Sequence, residues 1–66
     1  MPVRNKLFDI RHDLRLKQTE FSRLLDLSPQ QYNRYEKNSV QPTLEIAIKI
    51  SEKLDRTVND IFGIIR

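Results

Sequence analysis

No cysteine occurs among the 66 residues, which excludes disulfides and thiolate metal sites. The single glycine leaves no glycine-rich loop to cradle a phosphate. The single histidine, His12, stands beside Asp13, and adjacent residues on a helix do not face each other. His12 therefore reads as a surface residue and not as half of an acid–base pair. No apolar run approaches the ~20 residues of a membrane span, and the N-terminus lacks the apolar core of a signal peptide. The expectation is a cytoplasmic protein. With no nucleophile beside a base, no paired acids and no metal-ligand cluster, neither catalysis nor a cofactor is expected.

What remains is a short, charged, helix-prone chain. At this length about 60% of the unfolded surface is buried on folding, so the core is small and association with a second copy is a common remedy. Charged residues make up 32% of the chain and are spaced as helix faces rather than runs. Net charge is +3, unevenly held. Residues 1–40 carry 8 basic and 5 acidic side chains, whereas residues 41–66 carry 4 of each. A polyanionic partner would meet the N-terminal two-thirds.

Apolar spacing predicts five helices. Asn5 is a candidate N-cap for a first helix over about Asn5–Leu16, with Leu7, Ile10 and Leu14 on one face and Phe8 beside them. Phe21, Leu24 and Leu25 mark a short second helix, about Gln18–Leu25. Ser28-Pro29 is a start signal, a capping hydroxyl followed by a residue whose missing N–H costs nothing at the first helical position. Gln31, three residues on, is placed to close a capping box. This third helix runs to about Lys37 with Tyr32 and Tyr35 inward, and Asn38 is the expected left-handed terminator. Thr43 caps a fourth helix, about Leu44–Leu54, with Leu44, Ala47, Ile48, Ser51 and Leu54 on one face, joined by Ile46 and Ile50. Thr57 caps a last one holding Val58, Ile61 and Phe62, stopped by Gly63. The ends, Pro2-Val3-Arg4 and Ile64-Ile65, are candidate strands that would pair. The fold class is all-α, with one domain over 1–66.

Two short helices joined by a tight turn, at about residues 18–37, have the build of a helix-turn-helix. The outward residues of the third helix are Ser28, Pro29, Gln30, Gln31, Asn33 and Arg34, with no carboxylate before Glu36. A solvated helix face usually mixes Glu with Lys. Gln and Asn instead match the two polar edges of adenine, and Arg those of guanine.

The run Gln18-Thr19-Glu20-Phe21-Ser22-Arg23-Leu24-Leu25-Asp26-Leu27-Ser28, then Tyr32-Asn33-Arg34-Tyr35-Glu36-Lys37-Asn38, then Pro42-Thr43-Leu44, resembles the lambda-repressor-like (Xre-type) helix-turn-helix family over about residues 5–62. The resemblance implies a five-helix domain that binds double-stranded DNA. It implies that Gln18 bonds a phosphate and braces the third helix, and that Pro29, Gln30 and Arg34 meet base edges with Ser28, Gln31 and Asn33 flanking them. Arg11 and Glu36 would form a partly buried ion pair. The loop Asn38–Thr43 would lie along a phosphate strand, with Asn38, Ser39 and Thr43 as contacts. Departures are informative. Asp26 stands where the family's turn has glycine and tolerates a positive φ better than most residues. Ser22 replaces alanine, at little cost if its hydroxyl bonds back to the preceding turn. Lys17 replaces a capping hydroxyl, losing about 1 kcal/mol but setting a cation near the phosphates. Pro29 donates nothing, so its contact is apolar and specificity leans on Gln30 and Arg34.

Apolar residues late in the chain exceed what one small core needs. Ile46, Ile61, Ile64 and Ile65 are therefore the expected homodimer interface, and a repressor on a palindromic operator is the expected role. An antitoxin-like protein or a protein-docking module on the same fold are the alternatives. A docking module has no use for Gln30, Asn33 and Arg34 displayed together, and only four residues follow Phe62 to cover a toxin.

Overall fold

The computed structural model describes residues 3–65. Along the chain it forms β1 (Val3–Asn5), α1 (Leu7–Asp13), α2 (Gln18–Leu24), α3 (Pro29–Glu36), α4 (Leu44–Leu54), α5 (Val58–Ile61) and β2 (Phe62–Ile64). The two ends do pair: β1 runs antiparallel to β2 with Val3 opposite Ile64, Arg4 opposite Gly63 and Asn5 opposite Phe62. Pro2, expected at the start of the first strand, lies outside the described residues. The expected five-helix, all-α fold with a small terminal sheet is the fold observed.

Leu7, Ile10, Phe21, Leu25, Tyr32, Tyr35, Ile50 and Ile61 form the core, with Leu16, Leu27, Ile46, Leu54 and Phe62 packed against it. Every helix contributes, so none of these short segments depends on its own propensity. Phe21 and Tyr32 meet edge to face at 5.4 Å between ring centres, which fastens α2 to α3.

Helix starts follow the capping residues. Ser28 Oγ accepts the Gln31 N–H at 3.1 Å, Thr43 Oγ1 that of Ile46 at 3.3 Å, and Thr57 Oγ1 that of Asp60 at 3.1 Å. At Lys17 an ammonium has no lone pair to offer, and the Glu20 carboxylate instead accepts the Lys17 N–H at 2.9 Å.

Helix ends share one device. Arg15, Asp26, Asn38 and Asp55 all have left-handed backbone, with φ of 57, 61, 61 and 55°. After each, the next N–H reaches back to a carbonyl: Leu16 to Arg11, Leu27 to Ser22, Ser39 to Arg34 and Arg56 to Ser51. These are Schellman ends, and at the first two the following residue is a leucine packed on the core. Four such ends in a chain with one glycine means that L-residues carry the left-handed strain throughout.

Several expectations need correction. Helix α1 begins at Leu7 rather than Asn5, and Lys6 is its N-cap residue, although Asn5 Oδ1 does accept the Leu7 N–H at 3.1 Å. It ends at Asp13 because Arg15 turns left-handed. Leu14 and Leu24 are 50% and 46% exposed, so they share helical spacing with core residues but not the core. Leu44 and Ile48 likewise face outward, and the buried side of α4 is Ala47, Ile50 and Ser51. The Gln31 side chain closes no capping box; its Nε2 donates to the Tyr35 hydroxyl at 2.9 Å. Gly63 terminates nothing either. Phe62 is already extended at φ −114° and ψ 143°, and Gly63 lies within β2.

Candidate nucleic-acid interface

Helix α3 is held from below by aromatics and presents polar groups above. Tyr32 and Tyr35 are buried. Ser28, Pro29, Gln30 and Arg34 are exposed, and Asn33 is half-buried. Gln18, Pro29, Gln30, Asn33 and Arg34 line one open depression between the start of α2 and the face of α3. The structure thus brings together five of the residues singled out from sequence. Gln31 is not among them: it turns toward α4 and lines a different depression with Glu45, Ile46 and Lys49.

Beneath this face runs a chain of hydrogen bonds. Arg11 forks onto Glu36, Nε to Oε2 at 2.9 Å and Nη2 to Oε1 at 3.1 Å, while its Nη1 donates to the Leu16 carbonyl at 2.9 Å. Arg11 and Glu36 side chains are 16% and 7% exposed, which is the partly buried pair expected. Gln18 Nε2 donates to Glu36 Oε1 at 3.0 Å, and Asn33 Nδ2 donates to Gln18 Oε1 at 3.2 Å. Burial alone would raise the Glu36 carboxyl, but hydrogen bonds from Arg11 and Gln18 and the adjacent guanidinium outweigh it and hold the group below its ordinary value. The same bonds raise Arg11, so both ions stay charged. On the outer side of α1, Phe8 carries the Arg11 guanidinium over its ring at 5.4 Å.

Tyr32 is fully buried, and its hydroxyl, beside the Arg11–Glu36 pair, meets neither at full hydrogen-bonding geometry. Desolvation first, then the Glu36 carboxylate beside the hydroxyl, by its lone pairs and its charge, push that phenol far above its ordinary range. It is a neutral packing group with one unmet polar atom.

A second network, which sequence reading missed, fixes the loop after α3. Asn38 Oδ1 accepts the Asn5 N–H at 3.1 Å and Gln41 Nε2 at 3.0 Å. Asn5 Nδ2 donates to the Tyr35 carbonyl at 2.8 Å and to Gln41 Oε1 at 3.2 Å, and Gln41 Nε2 also reaches the Val3 carbonyl at 2.8 Å. Asn5 and Gln41 therefore tie β1 to the Asn38–Thr43 loop. Asn5 carried a sequence signal, misread as a plain cap. Gln41 carried none, since one glutamine in a loop resembles any surface residue. Asn38 spends its side-chain oxygen inward, and Thr43 its hydroxyl on the cap, whereas Lys17 and Ser39 are exposed.

The expected interface residues separate. Ile64 and Ile65 are exposed, at 53% and 38%, and Ile46 is half-buried against the core. Ile61 is 1% exposed and belongs to the core of a single chain, which corrects its assignment to a surface shared with a second copy. The four-residue α5 sets Ile61 in the same core cluster as Leu7, Ile10 and Ile50, with the Lys6 N–H donating to the Ile61 carbonyl at 2.8 Å, a long-range packing that residue spacing does not reveal.

Two helices crossing a tight turn, the second anchored by aromatics and faced with amides and a guanidinium, define a helix-turn-helix. Residues 7–61 match the helix-turn-helix family model, and the chain belongs to that family in its lambda-repressor-like form. It is a DNA-binding helix-turn-helix regulator, of a family not typically enzymatic. No curated protein matches the chain. Among the described residues, no helix is long and apolar enough to cross a membrane.

Proposed function

We propose that this chain is a sequence-specific repressor of transcription that binds a palindromic operator as a homodimer, with α3 in the major groove. Ser28, Pro29, Gln30 and Arg34 meet base edges: the amide of Gln30 suits adenine, the guanidinium of Arg34 suits guanine, and Pro29 offers an apolar surface for a thymine methyl. Lys17, Gln18, Asn38, Ser39 and Thr43 approach the phosphates, Asn38 through its side-chain Nδ2 because its Oδ1 and backbone N–H are engaged, and Thr43 through its backbone N–H because its hydroxyl caps α4. One observation carries the reading. The outer face of α3 offers free donors and acceptors without a carboxylate, over a base that holds the helix rigidly.

The second copy packs on the exposed apolar groups at the sheet, Val3, Ile64 and Ile65. A two-fold axis there would set the two α3 helices to read half-sites about 34 Å apart. Selection of bound duplexes from a random pool is expected to return an inverted repeat. Enrichment of no sequence would overturn the reading, and a single unrepeated site would overturn the dimer. Sedimentation at micromolar concentration is expected to show a dimer in the presence of that duplex.

A further inference from the structure

Asn33 has the composition of a base reader, yet its amide is committed elsewhere. Glu36 carries only acceptors, so the group that Gln18 turns toward it is Nε2, at 3.0 Å. Gln18 Oε1 must then face the other way, where only a donor satisfies it. Asn33 Nδ2 is that donor, at 3.2 Å. Reversing either amide would set oxygen against oxygen. Residues 33 and 36 lie three apart on α3, hence on one face, and Gln18 bridges them with a donor at one end and an acceptor at the other. With Arg11 fixing Glu36 from α1, every member of the chain has its orientation determined.

We infer that Asn33 is a positioning residue, not a base reader: it locks the Gln18 amide so that the second Nε2 hydrogen stays aimed out of the depression, ready for a phosphate oxygen. The inference rests on the DNA-binding reading above and narrows it. Pro29, which has no side-chain donor, cannot hold Gln18 from the first turn of α3, and Asn33, one turn further on, supplies the hold. Swinging Asn33 out to a base would cost Gln18 its partner. A brace of this kind affects all duplexes alike, because phosphates carry no sequence information.

The test has two arms. In the free protein, Asn33→Ala and the donor-less Asn33→Asp are expected to shift the Gln18 side-chain amide NMR signals while the fold persists. With DNA, Asn33→Ala is expected to weaken binding about five- to tenfold per protomer on the selected operator and on a scrambled duplex alike. In a Gln18→Ala background the same change is expected to cost less than about twofold, because the group it positions is gone. Unmoved Gln18 signals, losses that simply add, or a changed operator-to-scrambled ratio would each overturn the inference. A chain that enriches no duplex defeats the functional reading instead, and the free-protein arm still judges the contact.

Discussion

At the residue scale, the Glu36 carboxylate is the most consequential single group. It receives Arg11 in a two-pronged pair and Gln18 from the side, and it is mostly buried. Glu36→Gln keeps the shape but leaves the guanidinium without its counter-ion; the expected loss is about 2–3 kcal/mol, less than for a fully buried pair. The folded carboxyl titrates below its ordinary value, so its stabilisation is complete above about pH 4.3 and fades as acid approaches the folded value. Acid unfolding should accordingly become shallower in Glu36→Gln, as followed by helical circular dichroism. Tyr32 makes the opposite case. Its hydroxyl is buried without a partner, so Tyr32→Phe is expected to be neutral or to raise stability by up to about 1 kcal/mol. A loss of 2 kcal/mol or more, roughly, would mean that the hydroxyl is satisfied after all. Much of this scale could be read from sequence, because the family resemblance implied the pair Arg11–Glu36, and a serine in mid-helix can bond back as Ser22 Oγ does to the Thr19 carbonyl, at 2.9 Å. Which way an amide turns could not. Gln31 and Asn33 look alike in a sequence, and only packing sends one to Tyr35 and the other to Gln18.

At the scale of the elements, the helix ends decide more than the helix interiors. Four L-residues hold left-handed backbone, and of these Arg15 has neither the short polar side chain of Asn or Asp nor the freedom of glycine. Arg15→Gly should stabilise by about 1 kcal/mol, raising the melting temperature by about 4–8 °C. Asp26→Gly and Asp55→Gly should gain less. Unchanged or lower melting in Arg15→Gly would show that the arginine side chain offsets its own strain. Starts of helices were legible, because Ser28, Thr43 and Thr57 carry an unambiguous chemistry. The end of α1 was not: apolar spacing continued to Leu14 and Leu16, and no glycine marked the break at Arg15. Gly63 misled in the same way, since a glycine in a strand resembles a terminator when only sequence is seen.

At the scale of the whole molecule, two polar networks converge on one face. One runs from α1 through Glu36 to Gln18 and Asn33; the other ties β1 to the loop after α3 through Asn5 and Gln41. Both hold groups that the proposed complex sets against the phosphates, so the surface is shaped before any duplex arrives and little ordering entropy is left to lose on binding. Gln41→Ala frees two donations and one acceptance at the loop, and is expected to weaken binding to all duplexes alike while lowering stability by about 1–2 kcal/mol. The overall fold was readable because three helices carried motifs in register. The distribution of the late isoleucines was not, because Ile61 is buried by contacts across the chain while Ile64, three residues on, is left outside.

The central claim is that the outer face of α3 reads bases, and Arg34→Ala tests it most directly. Titrated at fixed salt against the selected operator and a scrambled duplex, the variant is expected to lose about 1–3 kcal/mol per half-site on the operator, with much smaller loss on the scrambled sequence. Equal losses on both duplexes would reduce Arg34 to a phosphate contact and contradict the account.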